Sequence, residues 1–179
     1  MLRVLPIVAI LLSLAALALT ALFVGGPAGW SRTVTSDPQT EAVTYDFRLR
    51  ALDDDSELAV RCRPDEPVAV LLVADAPLGP AALRPLPRPA RLSLDGEPAS
   101  VREVAITNRT VVLTHGAPDA ARALVTRLAE SRQLDVILDA GADGHGLTAS
   151  FATVGADDVV AELRQTCPRK LSGATRRDR

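Results

Sequence analysis

Residues Thr44–Cys62 read TYDFRLRALDDDSELAVRC, and this stretch decides the fold class. In its first half Tyr45, Phe47 and Leu49 alternate with Asp46, Arg48 and Arg50. In its second half Leu58, Val60 and Cys62 alternate with Ala59, Arg61 and the following Arg63. A period of two marks a β-strand with one buried and one wet face, and such strands belong to antiparallel sheets. The run Asp53-Asp54-Asp55-Ser56 between them reads as a turn. Cys62 falls on the apolar side.

The neighbouring segments extend this pattern. Asp65 and Pro67 separate the Cys62 strand from Val68–Ala74, a nearly continuous apolar run expected to be a central strand. Upstream, a short strand is expected at Arg32–Thr35, before the turn signal Asp37-Pro38. Downstream, Pro77, Pro80, Pro85, Pro87 and Pro89 predict a surface crossing that carries no regular ladder. Arg91–Leu94 leads into Asp95-Gly96, a strong hairpin signal, and strands are expected at Val101–Ile106 and Thr110–Leu113.

Pro118–Arg132 reads as a helix with Ala121, Leu124, Val125 and Leu128 on one face. Strands at Leu134–Leu138 and Leu147–Thr153 follow, joined by the glycine-rich loop Gly141–Gly146. A second helix begins near Asp157, with acidic residues in its first turn, and ends at Cys167-Pro168. The order of elements indicates an α+β fold: a mostly antiparallel sheet with two helices.

Arg3 precedes 21 uncharged residues, Val4–Val24, and then Gly25-Gly26-Pro27-Ala28. Positive charge, an apolar run and small residues describe a secretory signal peptide. The run is also long enough for an uncleaved membrane anchor. Either reading exports the rest of the chain to the periplasm or another extracytoplasmic space, released or held in the inner membrane. The organisation expected is 1–28 signal or anchor, 30–167 exported domain, and 168–179 basic tail.

The two cysteines fit an oxidising compartment. Cys62 lies on the inner side of its strand, and Cys167 shares a helix face with Val160 and Leu163. A disulfide is expected, against the alternative of two buried thiols. Neither cysteine has metal-ligand spacing to another Cys or His, and no cofactor motif is present.

Charge divides the chain. The tail carries +4 and Arg3 +1, so the total of −2 leaves −7 on residues 30–167. The tail reads as a charged, disordered terminus, or as a contact for anionic lipid or an acidic partner. An acidic exported domain without aromatic and basic interleaving argues against nucleic acid.

Candidate chemistry is sparse. His115 and His145 each sit beside glycine, and no Gly-x-Ser-x-Gly elbow accompanies them. A small hydrolase or ligand-binding enzyme would need one of them to meet a Ser or a carboxylate in a pocket. Asp139, Asp143 and His145 cluster in the glycine-rich loop, and Asp53–Asp55 in a turn. The first group could hold a cation, but its spacing is not that of an EF-hand and a solvated loop accounts for it equally well; the second could bind calcium weakly, but a solvated turn is the better account. Arg91 and Asp95 read as structural, and Asn108-Arg109-Thr110 is a glycosylation sequon of little meaning in a bacterial-type protein.

An ordered series runs through the chain: Trp30, Asp37-Pro38-Gln39-Thr40, Leu58–Cys62, Arg91 to Asp95-Gly96-Glu97-Pro98, Leu124–Leu128, Phe151, Gly155, Leu163 and Cys167. It resembles the exported domain of type VI secretion-associated VasI/TagO-like proteins and related proteobacterial envelope proteins, over nearly all of 30–167. The resemblance implies a non-enzymatic periplasmic accessory with an envelope or secretion-apparatus partner. It supplies no catalytic residues.

Overall fold

Among the described residues, alternation yields nine strands and the helical stripes yield two helices. The computed structural model describes residues 29–63, 66–79, 84–114, 118–141 and 144–167. The apolar segment 1–28, the tail 168–179, His115 and Asp143 lie outside the described residues. Among the described residues no helix is long and apolar enough to cross a membrane.

The strands are β1 (Trp30–Ser36), β2 (Val43–Arg50), β3 (Glu57–Cys62), β4 (Ala69–Val73), β5 (Leu86–Leu94), β6 (Ser100–Thr107), β7 (Thr110–Val112), β8 (Gln133–Leu138) and β9 (Leu147–Ala152). The helices are α1 (Pro118–Glu130) and α2 (Ala156–Thr166). One sheet holds all nine strands in the order β1-β2-β3-β4-β7-β6-β5-β8-β9. Every neighbouring pair is antiparallel. The α+β expectation is met.

Period two sorts the side chains. Phe47, Leu58, Val60, Leu72, Ile106, Leu134, Val136 and Phe151 turn to one face and are buried. The apolar stripes of α1 (Leu124, Val125, Leu128) and α2 (Val159, Val160, Leu163) complete the same core. With so few aromatics, burial of branched aliphatics carries the stability, at about 1.5–3 kcal/mol for each fully buried side chain.

The other face of β2 and β3 carries charge. Asp46 accepts hydrogen bonds from Arg61 Nε at 2.8 Å and from its terminal nitrogen at 3.3 Å. Arg48 lies 3.8 Å from Asp46 and 2.9 Å from Glu57. Opposite charges on facing strands reinforce the register read from the apolar side.

The proline-rich stretch needs a correction. Pro87 and Pro89 lie inside β5, paired with Ala105 and Glu103 of β6. Proline cannot donate to a ladder, but its absent N–H is harmless on a side that faces no partner. β8 meets β5 only from Ala90 onward, so both prolines sit where β5 has a partner on one side alone. Elsewhere expected and observed boundaries differ by a few residues. Asp95 and Gly96 take positive φ of 51° and 75°, as the β5–β6 hairpin requires. In the β8–β9 hairpin, a Cβ at Gly146 would come 2.9 Å from the Leu138 carbonyl oxygen, which restricts that position to glycine.

Candidate functional site

Cys62 ends β3 and Cys167 follows α2. Inward-facing positions bring them together, and they form a disulfide with Cα atoms 6.6 Å apart. The bond spans 105 residues of sequence and fixes the end of α2 to the third strand. Both cysteines are buried.

The other residues singled out from sequence have structural partners. Asp53 accepts a hydrogen bond from the Ser150 amide at 3.2 Å. Asp54 binds the amide and hydroxyl of Ser56 at 2.7 and 2.9 Å, and Asp55 lies 3.7 Å from Arg50. The three acids thus serve three separate ends, and they do not converge on a common point.

Asp139 pairs with Arg91 at 2.5 Å. Arg88 donates to the carbonyls of Asp139 and, at 2.8 Å, His145, and to that of Leu78 at 3.1 Å. An arginine therefore occupies the carbonyl side of the glycine-rich loop. Among the described residues no three His, Cys, Asp or Glu side chains group as a metal site. Asp95 caps the α1–β8 junction, accepting from the amides of Arg132 at 2.8 Å and Gln133 at 2.9 Å. Asn108 and Arg109 form the β6–β7 turn, and Arg109 Nε donates to the Ala74 carbonyl at 2.7 Å.

The β1–β2 turn is held by its own carboxylate. Asp37 accepts from the amides of Gln39 at 2.8 Å and Thr40 at 3.3 Å. The Gln39 amide, with Thr40 adding to it, holds this carboxyl below the usual aspartate range. Close by, Arg63 binds Glu66 at 2.8 Å, which raises the arginine further above its already high value. These groups border an open hollow of about 560 Å³. Their charges are already engaged with one another or with the backbone.

The feature that remains is the pair of sheet edges. β9 ends the sheet on one side, yet the sheet curls until the β2–β3 turn reaches it. The Leu52 amide donates to the Ser150 carbonyl at 2.8 Å, and Asp53 takes the Ser150 amide. Both backbone groups of Ser150 are thereby occupied. β1 ends the other side. All seven of its residues pair with β2 in unbroken register, and among the described residues no strand lies on its free side. It contains no proline, no lysine and no bulge, and its one charged residue, Arg32, is tied to Glu162 of α2; of the devices that normally blunt an exposed edge, this inward-facing charge is the one β1 carries. Val34 in β1 is 41% exposed on the face where Trp30 is buried.

Sequence reasoning assigned β1 only as a short strand and did not reach the contrast between edges. The contrast depends on Asp53 meeting Ser150, 97 residues away, which no local pattern announces. No family model, curated protein or solved structure matches the chain.

Proposed function

We propose that the chain is a non-enzymatic module of the bacterial cell envelope that docks a partner protein by strand addition at β1. Main-chain hydrogen bonds along an open edge supply affinity, and alternate side chains supply selectivity. The observation that carries the reading is the seven-residue β1 edge, with no strand on its free side among the described residues, on a sheet whose other edge is met at Ser150 by the β2–β3 turn. Export is supported by the apolar segment Val4–Val24 together with the Cys62–Cys167 bond, since such bonds persist in oxidising compartments. The resemblance to type VI secretion-associated VasI/TagO-like proteins points to the periplasm and to an envelope or secretion-apparatus setting.

The test is crosslinking of the full chain in cells, followed by affinity recovery and mass identification. The reading expects a recurring envelope protein, or the chain itself, attached through residues of β1. Recovery of the protein with no crosslinked species, or with adducts only away from β1, would count against it.

A further inference from the structure

We infer that the occupant of the β1 edge is a second copy of this chain, paired antiparallel about a two-fold axis through Thr33. The inference rests on the strand-addition reading and names its partner.

The first argument is register. Thr33 is the midpoint of Trp30–Ser36. A dyad there pairs the whole strand: Thr33 with its copy, Arg32 with Val34, Ser31 with Thr35 and Trp30 with Ser36. Thr–Thr and Ser–Thr pairs are favourable across antiparallel strands, and like charges directly opposite are not. The only charge in β1 is Arg32, and it faces Val34 in this register. Val34 gains the stem of Arg32 as cover, which accounts for an exposed valine on the inner face.

The second argument is charge on the neighbouring helix. Arg32 Nε lies 2.8 Å from Glu162 of α2. Cys167, at the helix end, is bonded to Cys62, whose register partner Tyr45 also faces Val34. α2 therefore runs in the direction of β1. Its exposed Asp157 and Asp158 lie toward Trp30, and its exposed Arg164 toward Val34. A dyad at Thr33 reverses the second copy. The acidic start of one α2 then comes level with the basic end of the other.

A covalent test reads the register directly. The native cysteines are bonded to each other, so Thr33→Cys gives the full chain its single free thiol. In this register two such positions lie about 4.5–5.5 Å apart at Cα, within disulfide range. Thr35→Cys faces Ser31 instead, and its two copies lie ~14 Å apart, beyond bridging. Oxidation in cells should link Thr33→Cys into a homodimer and leave Thr35→Cys largely monomeric. Equal linking of both overturns the register. Linking of Thr33→Cys to a different protein overturns self-pairing and leaves the docking reading standing. A folded Thr33→Cys chain that links to nothing removes both.

Thr33→Lys provides a check that needs no oxidation. Thr33 faces Asp46 of β2 within its own chain, so the monomer should keep its melting temperature, while two lysines meet at the dyad. Sedimentation should show the dimer weakened about tenfold or more. An unchanged dimer would overturn the inference.

Discussion

The two edges of the sheet solve one problem differently. β9 carries its own closure: the turn after β2 folds across to it, and Leu52 and Asp53 occupy both backbone groups of Ser150. β1 is longer, unbroken and open on its free side among the described residues. The backbone groups that β1 turns away from β2 are an invitation to strand pairing.

The disulfide belongs to the open side of this comparison, and breaking it should have the largest effect. It anchors α2, which in turn holds Arg32 of β1 through Glu162. Cys62→Ser is expected to cost about 4–5 kcal/mol in the chain-entropy account of a loop this long. The double cysteine variant should lose about the same, because either change removes the whole bond. Thermal melting of single and double variants measures this. A single variant within ~1 kcal/mol of wild type would deny the bond its structural role.

Asp53→Ala attacks the closed edge. It should cost about 1 kcal/mol, the scale of one ordinary hydrogen bond, because this long contact is exposed to solvent. It should also speed hydrogen exchange at the Ser150 amide, making β9 more like β1. Unchanged exchange at Ser150 would mean that the cap does not close the edge.

A smaller effect is expected where β1 ends. Asp37 has a folded-state value below its unfolded one, so its contribution is present above the unfolded value of about 3.9 and is lost as pH falls through the folded value. Asp37→Asn keeps an acceptor for the Gln39 amide but not the titration. Its melting temperature should fall less steeply than that of wild type below about pH 4. Parallel acid limbs would remove Asp37 from the account.

How much of this was legible in the sequence varies by element. β2 and β3 declare themselves because alternation is local and both faces are labelled, one by Phe47 and Val60, the other by Asp46 and Arg61. The inward sides of Cys62 and Cys167 followed from the same two periodicities. The first part of β5, with Pro87 and Pro89, was hidden because a proline breaks a ladder only on the side where a donor is needed, and sequence does not say which side has a neighbour. The acids Asp53, Asp54 and Asp55 look alike in a row. Only the curl of the sheet separates the one that reaches Ser150 from the ones that hold their own turn.

The most direct measurement is residue-resolved hydrogen exchange of the full chain over a range of protein concentrations, comparing β1 with β9. The account predicts slow exchange at Ser150 throughout. It predicts fast exchange of the outward amides of β1 in dilute protein, slowing as concentration rises and second copies pair. Outward β1 amides as slow as Ser150 in dilute protein would contradict the open edge, and amides that stay fast at every concentration would contradict pairing between copies.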